Sequence, residues 1–192
     1  MNLRKSRMKL LRVALFGLVL VALISEPLHI ANTSIVADIL FHGLGLRLWA
    51  ILYVGQRKSR ELTITGPYSV CRNPLYVGTV LLTLGTCLSF ENLVVCLFAL
   101  AVVVPLHVVI VLAEEKHLRE IFGVEYARYM QRTPRFWFRW SAYHSSPEVS
   151  VSIKVLRRTV FNAIGVLMIP PATLLVDTLR DHGILPVLLK WP

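Results

Sequence analysis

The sequence predicts an all-α, polytopic membrane helix bundle of about five transmembrane helices, and three observations predict it. Of its 192 residues, 55% are hydrophobic and only 17% charged, with a mean hydropathy of +0.62. A water-soluble chain of this size has to cover itself with polar side chains, and this one has too few. The apolar residues also come in blocks long enough to cross or nearly cross a bilayer. Finally, Lys and Arg collect in alternate gaps between those blocks, the pattern of a chain threading a membrane.

The first block, residues 10–25, follows Arg4, Lys5, Arg7 and Lys9. A basic start before a short apolar run also describes a signal peptide. Here Ser25-Glu26-Pro27 follows without a small-x-small cleavage site, which favours a span. The second block, residues 35–54, is interrupted by Asp38, His42 and Arg47; the third and fourth cover residues 75–90 and 93–113. A fifth, residues 160–176, carries Pro170-Pro171 and is expected to kink or break there. Residues 184–189 are too few to span and suit the interface. Together the blocks make one membrane domain over residues 1–192.

Orientation follows from the loops. The N-terminus, the connection with Arg57, Lys58, Arg60 and Arg72, and the connection with Lys116, Arg119, Arg128, Arg132, Arg135 and Arg139 are basic and expected in the cytosol. Residues 26–34 and 89–92 have no Lys or Arg and are expected outside. The net charge of +10 is therefore read as an attraction to anionic lipid headgroups, with the bilayer as partner and no nucleic acid. Cys71, Cys87 and Cys96 show neither metal-ligand spacing nor a paired framework, so no metal site is expected.

Two cytosolic segments carry the residues suited to chemistry. One runs Gly66-Pro67-Tyr68-Ser69-Val70-Cys71-Arg72-Asn73-Pro74-Leu75-Tyr76-Val77-Gly78, with two proline-directed turns leading into the third span. The other runs from Glu114-Glu115 through Phe122-Gly123 to Tyr126 and Tyr129; Leu118, Ile121 and Phe122 give it an amphipathic, juxtamembrane face. Phe136, Trp137, Phe138 and Trp140 beside Arg135 and Arg139 suit an interfacial belt. Glu114 and Glu115 gain nothing from the dipole at the C-terminal half of a helix. They are either a solvated helix end or, if one turns inward, a seat for a cation. Asp38, His42, Arg47 and His107 lie in apolar blocks and need partners or a cavity. Gly43 and Gly45 suit close helix packing or the approach of a ligand. Dinucleotide, Walker, Gly-x-Ser-x-Gly and His-Glu-x-x-His motifs are absent, so any cofactor site must be built from helix ends and loops.

The ordered pair Gly-Pro-Tyr…Arg-Asn-Pro-x-Tyr-x-Gly and Glu-Glu-x-x-Leu…Phe-Gly-x-x-Tyr-x-x-Tyr resembles the isoprenylcysteine carboxyl methyltransferase and phospholipid methyltransferase superfamily. The resemblance covers roughly residues 43–136, the motif-bearing core; residues 141–192 form an additional helical segment beyond it. It implies an integral-membrane transfer of a methyl group from S-adenosylmethionine to a lipidic or lipidated acceptor entering from the bilayer. Matched to the family's cofactor-binding stretches are Arg60, Glu61, Leu62, Thr63, Tyr68, Asn73, Pro74, Leu75 and Tyr76, with Glu114 as the acid touching the cofactor and Tyr53 at another lining position. Arg72 suits the cofactor's carboxylate, and Glu115 is the nearest base for an amine acceptor.

Two positions depart from the family pattern: Asn73 stands where His is usual, and Ile110 where carboxyl methyltransferases have a carboxylate-orienting Arg. A carboxylate acceptor would then need its cation elsewhere, and a phospholipid amine is the alternative acceptor. A non-catalytic membrane scaffold would explain the spans but leave both motifs as coincidence.

Overall fold

A computed structural model describes residues 17, 32–54, 61–149 and 151–185, and every regular element among them is helical. Apart from Gly17, the first expected span lies outside the described residues, as do Arg57, Lys58, Arg60 and the end of the chain beyond residue 185.

Helix α1 is Thr33–Val54, whose 22 residues extend about 33 Å at 1.5 Å each. A one-turn helix α2, Pro67–Val70, leads into α3, Pro74–Leu88. Then come α4, Leu93–Arg132, a 3-10 turn at Trp140–Ala142, α5, Ile153–Leu167, and α6, Ile169–Asp181. Three stretches are long and apolar enough to cross a membrane: α1, α4, and α5 with α6 taken together. The protein is a helical membrane bundle.

Each boundary has a local cause. Pro74 occupies the first turn of α3, where a missing N–H costs nothing. Glu91 takes a left-handed φ of 50° in the turn after α3, and Asn92 then caps α4 by accepting from the Val95 N–H at 3.0 Å. The 15 residues of α3 reach only about 22 Å, short of a ~30 Å hydrocarbon core. Pro170 and Pro171 in the first turn of α6 force the break at Met168, as the sequence predicts.

The third span lies against the second because small residues let the backbones approach. A Cβ on Gly43 would sit 3.0 Å from Leu81 Cβ and from the Leu82 nitrogen, and one on Gly78 would sit 2.8 Å from the Gly43 carbonyl. Gly45 faces open space instead. The polar residues of the apolar blocks do not satisfy one another: His42 and His107 each bond by Nδ1 to a carbonyl one turn back, Asp38 and Val103 respectively, while Arg47 reaches across to the Thr79 hydroxyl. Leu97, Phe98, Val109 and Ile110 are exposed along α4, as a lipid-facing surface requires.

At one end of the bundle Thr33, Ser89, Glu91 and Asp177 line a shallow hollow. At the other end the close of α1, the start of α3 and the far part of α4 converge on a cleft.

Candidate functional site

The cleft is built on Gly123. Its φ of 50° and ψ of −120° break α4 into two arms, a conformation that glycine alone adopts freely. The second arm turns back so that Tyr126 and Tyr129, three residues apart, are both buried. The Tyr129 hydroxyl donates to the Tyr68 carbonyl at 2.7 Å, tying this arm to α2.

The segment after α4 then laces the first motif in place. Arg72 N–H donates to the Pro134 carbonyl at 2.9 Å, Arg139 N–H to Val70 at 3.0 Å, and Gly66 N–H to His144 at 2.8 Å. Gly66 itself has a φ of 60°, and a Cβ there would lie 2.4 Å from the ring of Tyr53. The lacing reaches His144 and Ser145, beyond the limit of residue 136 expected for the motif-bearing core.

Lining the cleft are Glu61, Leu62, Thr63, Tyr68, Arg72, Asn73, Leu75, Tyr76 and Glu114 of the residues singled out by sequence, joined by Val54, Leu118, Tyr126 and Tyr129. It encloses about 700 Å³, counting its open mouth, a size suited to a small-molecule site. Four expected residues stand apart. Tyr53 turns to Ser145 Oγ, 2.7 Å away, and supports Gly66. Pro74 is buried at the start of α3. Arg60 lies outside the described residues. Glu115 points inward, away from the cleft.

The adjacent acids thus divide. Glu114 accepts a hydrogen bond from the Tyr76 hydroxyl at 2.5 Å at the wall of the cleft. Glu115, only 5% exposed, accepts from both Nε and Nη2 of Arg135 at 3.1 and 2.9 Å and from Asn73 Nδ2 at 3.1 Å. Arg72 Nη1 lies 3.7 Å from Glu115 Oε1, an ionic contact too long for a hydrogen bond. Asn73 also donates to the Arg135 carbonyl at 3.2 Å. A histidine would replace this two-armed amide with ring nitrogens of different reach.

Burial, then the nearby Glu114 carboxylate, push the Tyr68 hydroxyl far above the usual phenol range, so it stays neutral. Burial likewise pushes the Cys71 thiol up to about 11, against the opposing pull of the Asn73 backbone and Arg72.

Two polar groups of the cleft are buried without a hydrogen-bond partner: Nε and Nη1 of Arg72, and the hydroxyl of Thr63. The Arg72 side chain is 9% exposed. A guanidinium taken out of water with open donors is costly unless an anion completes it. The set therefore fits an amphoteric ligand such as S-adenosylmethionine: open donors for a carboxylate, acids for an ammonium, and tyrosine rings for a sulfonium and an adenine. Among the described residues no three His, Cys, Asp or Glu side chains converge as a metal site would require.

Sequence reasoning missed Arg135, Tyr126 and Tyr129 as parts of the site. The Tyr-x-x-Tyr spacing after Gly123 carried a signal; nothing local marked Arg135.

A family model described as phospholipid methyltransferase matches residues 14–125, more than half of the chain. Among curated proteins, the cobalt-zinc-cadmium resistance protein CzcN of Cupriavidus metallidurans is 32% identical over 139 residues, covering 72% of this chain and 64% of its own length. The nickel-cobalt-cadmium resistance protein NccN of Alcaligenes xylosoxydans xylosoxydans is 32% identical over 99% of this chain and 92% of its own. No solved structure matches the chain.

Proposed function

The chain belongs to the phospholipid methyltransferase family, and from that premise we propose that it is an integral-membrane, S-adenosylmethionine-dependent methyltransferase acting on a lipidic or lipidated acceptor, with its cleft facing the cytosol. The observation that carries the reading is the buried Arg72 guanidinium, with two nitrogens lacking hydrogen-bond partners at the wall of an acid- and tyrosine-lined cleft.

When bound, S-adenosylmethionine supplies an electrophilic methyl group on a positively charged sulfur. Arg72 and the Thr63 hydroxyl would hold its carboxylate, and Glu114 and Glu61 its ammonium. Tyr68, kept neutral, offers an uncharged ring and hydroxyl to the adenosine. Tyr76 holds the Glu114 carboxylate in one orientation through its hydroxyl. Glu115 positions Arg72 and Asn73 from behind; its bidentate bond to Arg135 occupies the oxygens that a base would need. Methyl transfer requires nucleophile, carbon and sulfur in line, so positioning supplies most of the acceleration.

The acceptor's apolar part has a route. An apolar hollow between α3 and α4, lined by Val77, Val80, Val104, His107 and Trp137, backs onto Tyr76. An acceptor entering there from the lipid would meet the cleft at the Tyr76–Glu114 pair. The acceptor itself is proposed as an isoprenylcysteine-like carboxylate or, as the alternative, the amine of a phospholipid. The metal-resistance names belong to the two relatives, and no cluster among the described residues extends them to this chain.

The test is calorimetric titration of S-adenosylmethionine and S-adenosylhomocysteine into the detergent-purified protein. We expect saturable binding that weakens at least tenfold in Glu114→Gln and in Arg72→Met. Absence of binding by a protein with intact helicity would overturn the cofactor reading. A screen of prenylcysteines against aminophospholipids, read by transfer of labelled methyl, then separates the two acceptors.

A further inference from the structure

A second cavity lies one turn deeper in the bundle. It encloses about 1130 Å³, counting its mouth, between α1, α3, α4 and α5. Leu82, Ala99, Val103 and Val166 make most of it apolar, yet Arg47 lines it too. The stem of Arg47 lies against Gly78, where a Cβ would come within 2.7 Å of its Cγ. One nitrogen donates to the Thr79 hydroxyl, also on the cavity wall. Among the described residues no carboxylate pairs with it: the ion pairs there join Arg72 and Arg135 to Glu115 and Arg180 to Asp177.

A cation in a membrane helix needs an anion or a path to water. Arg47 stands seven residues before the end of α1 at Val54, which is about 10 Å below that end. This is the depth at which phosphates and glycerol esters of one leaflet meet its acyl chains. The guanidinium fork matches a phosphate oxygen pair better than any other group available at that depth. Thr83, Thr86, Thr159 and Asn162 add a polar seam to the same wall, suited to ester oxygens.

We propose that this cavity is a binding site for an anionic phospholipid of the surrounding bilayer, with its phosphate on Arg47 and an acyl chain in the apolar space beneath α5. The lipid is a resident ligand, distinct from the methyl acceptor, and its binding does not depend on the cleft reaching a cofactor. It supplies the counter-charge that the described residues lack and fills the gap between α5 and the α1–α3 pair.

The test is native mass spectrometry of the full chain after delipidation in neutral detergent, with dioleoyl phosphatidylglycerol and dioleoyl phosphatidylcholine added in competition. The expected result is at least a tenfold preference for phosphatidylglycerol, abolished in Arg47→Leu and partly kept in Arg47→Lys. Thr83→Met, which fills the cavity without touching the charge, should reduce uptake of both lipids. Equal uptake of the two lipids by the unaltered protein would overturn the proposal. So would a preference that survives in Arg47→Leu, since it would then come from the basic surface elsewhere. A melting midpoint that rises with phosphatidylglycerol in the unaltered and Thr79→Val proteins, but not in Arg47→Leu, reads the same equilibrium in variants known to fold.

Discussion

Replacing Glu115 by glutamine would remove the one carboxylate that faces Arg72, Asn73 and Arg135 together. Arg72 is nine-tenths buried and would keep its charge with no counter-ion, a loss on the order of 3 kcal/mol for a buried pair broken on one side. Arg135 is more than a third exposed and adds less, because water screens it. The prediction is a clear fall in melting midpoint for Glu115→Gln. Glu114→Gln should leave the midpoint nearly unchanged, because Gln can still accept the Tyr76 hydroxyl. Equal midpoints in the two variants would contradict the division of labour between neighbouring acids. Cys71 makes a second prediction at this scale. Its thiol is raised to about 11 by burial, so the reactive thiolate is scarce at pH 7 and grows only as pH approaches that value. Maleimide should label the folded protein negligibly at pH 7 and the unfolded protein fully. Neither the ion cluster nor the raised thiol is visible in the sequence, where Glu114 and Glu115 are equivalent neighbours and Arg135 is one of several basic residues. Which acid turns inward is decided by contacts from a segment twenty residues away.

The break at Gly123 is the element on which the cleft depends, and its glycine is required for backbone reasons alone. A Cβ there would meet nothing within 4 Å, yet the φ of 50° with ψ of −120° is closed to alanine without strain of roughly 1–3 kcal/mol. Gly123→Ala should therefore relax toward a continuous helix, swinging Tyr126 and Tyr129 off α2. The expected outcome is unchanged or slightly higher helicity by circular dichroism, with cofactor affinity reduced at least tenfold. Gly66→Ala adds a collision with the Tyr53 ring to a left-handed φ and should lower stability as well as affinity. If Gly123→Ala kept full affinity, the second arm would not be part of the site. The long apolar runs and the proline-directed stops could be read in the sequence because hydropathy and proline act locally. The two motifs could be read as loops for the same reason. What joins them could not: the bonds from Pro134, Arg139 and His144 back to residues 66–72 pair backbone groups that carry no residue-specific signal. Likewise the short length of α3 follows from the turn at Glu91, a position no hydropathy window marks.

At the scale of the whole molecule, the placement of the two ends decides which compartment the cleft serves. Arg72, Arg128, Arg132, Arg135 and Arg139 cluster on or beside the cleft end, and the N-terminus of α5 adds Lys154, Arg157 and Arg158 there. The opposite end gathers Thr33, Ser89, Glu91 and Asp177, with Arg180 already paired to Asp177 at 3.0 Å. Under the positive-inside rule the first end is expected in the cytosol, where S-adenosylmethionine would be drawn from solution. Substituted-cysteine labelling with a membrane-impermeant maleimide can decide this without a cysteine-free background, because Cys71, Cys87 and Cys96 are all buried. Arg128 and His182 are exposed positions near the two ends. Arg128→Cys should label in inverted vesicles and resist labelling in intact cells, and His182→Cys should do the reverse. The opposite pattern would put the cleft outside and remove its cofactor supply. Labelling of both positions from one side would require an even number of crossings between residues 128 and 182. The broken α5–α6 unit would then enter and leave by the same face, with Met168 as the turning point instead of a kink within a span.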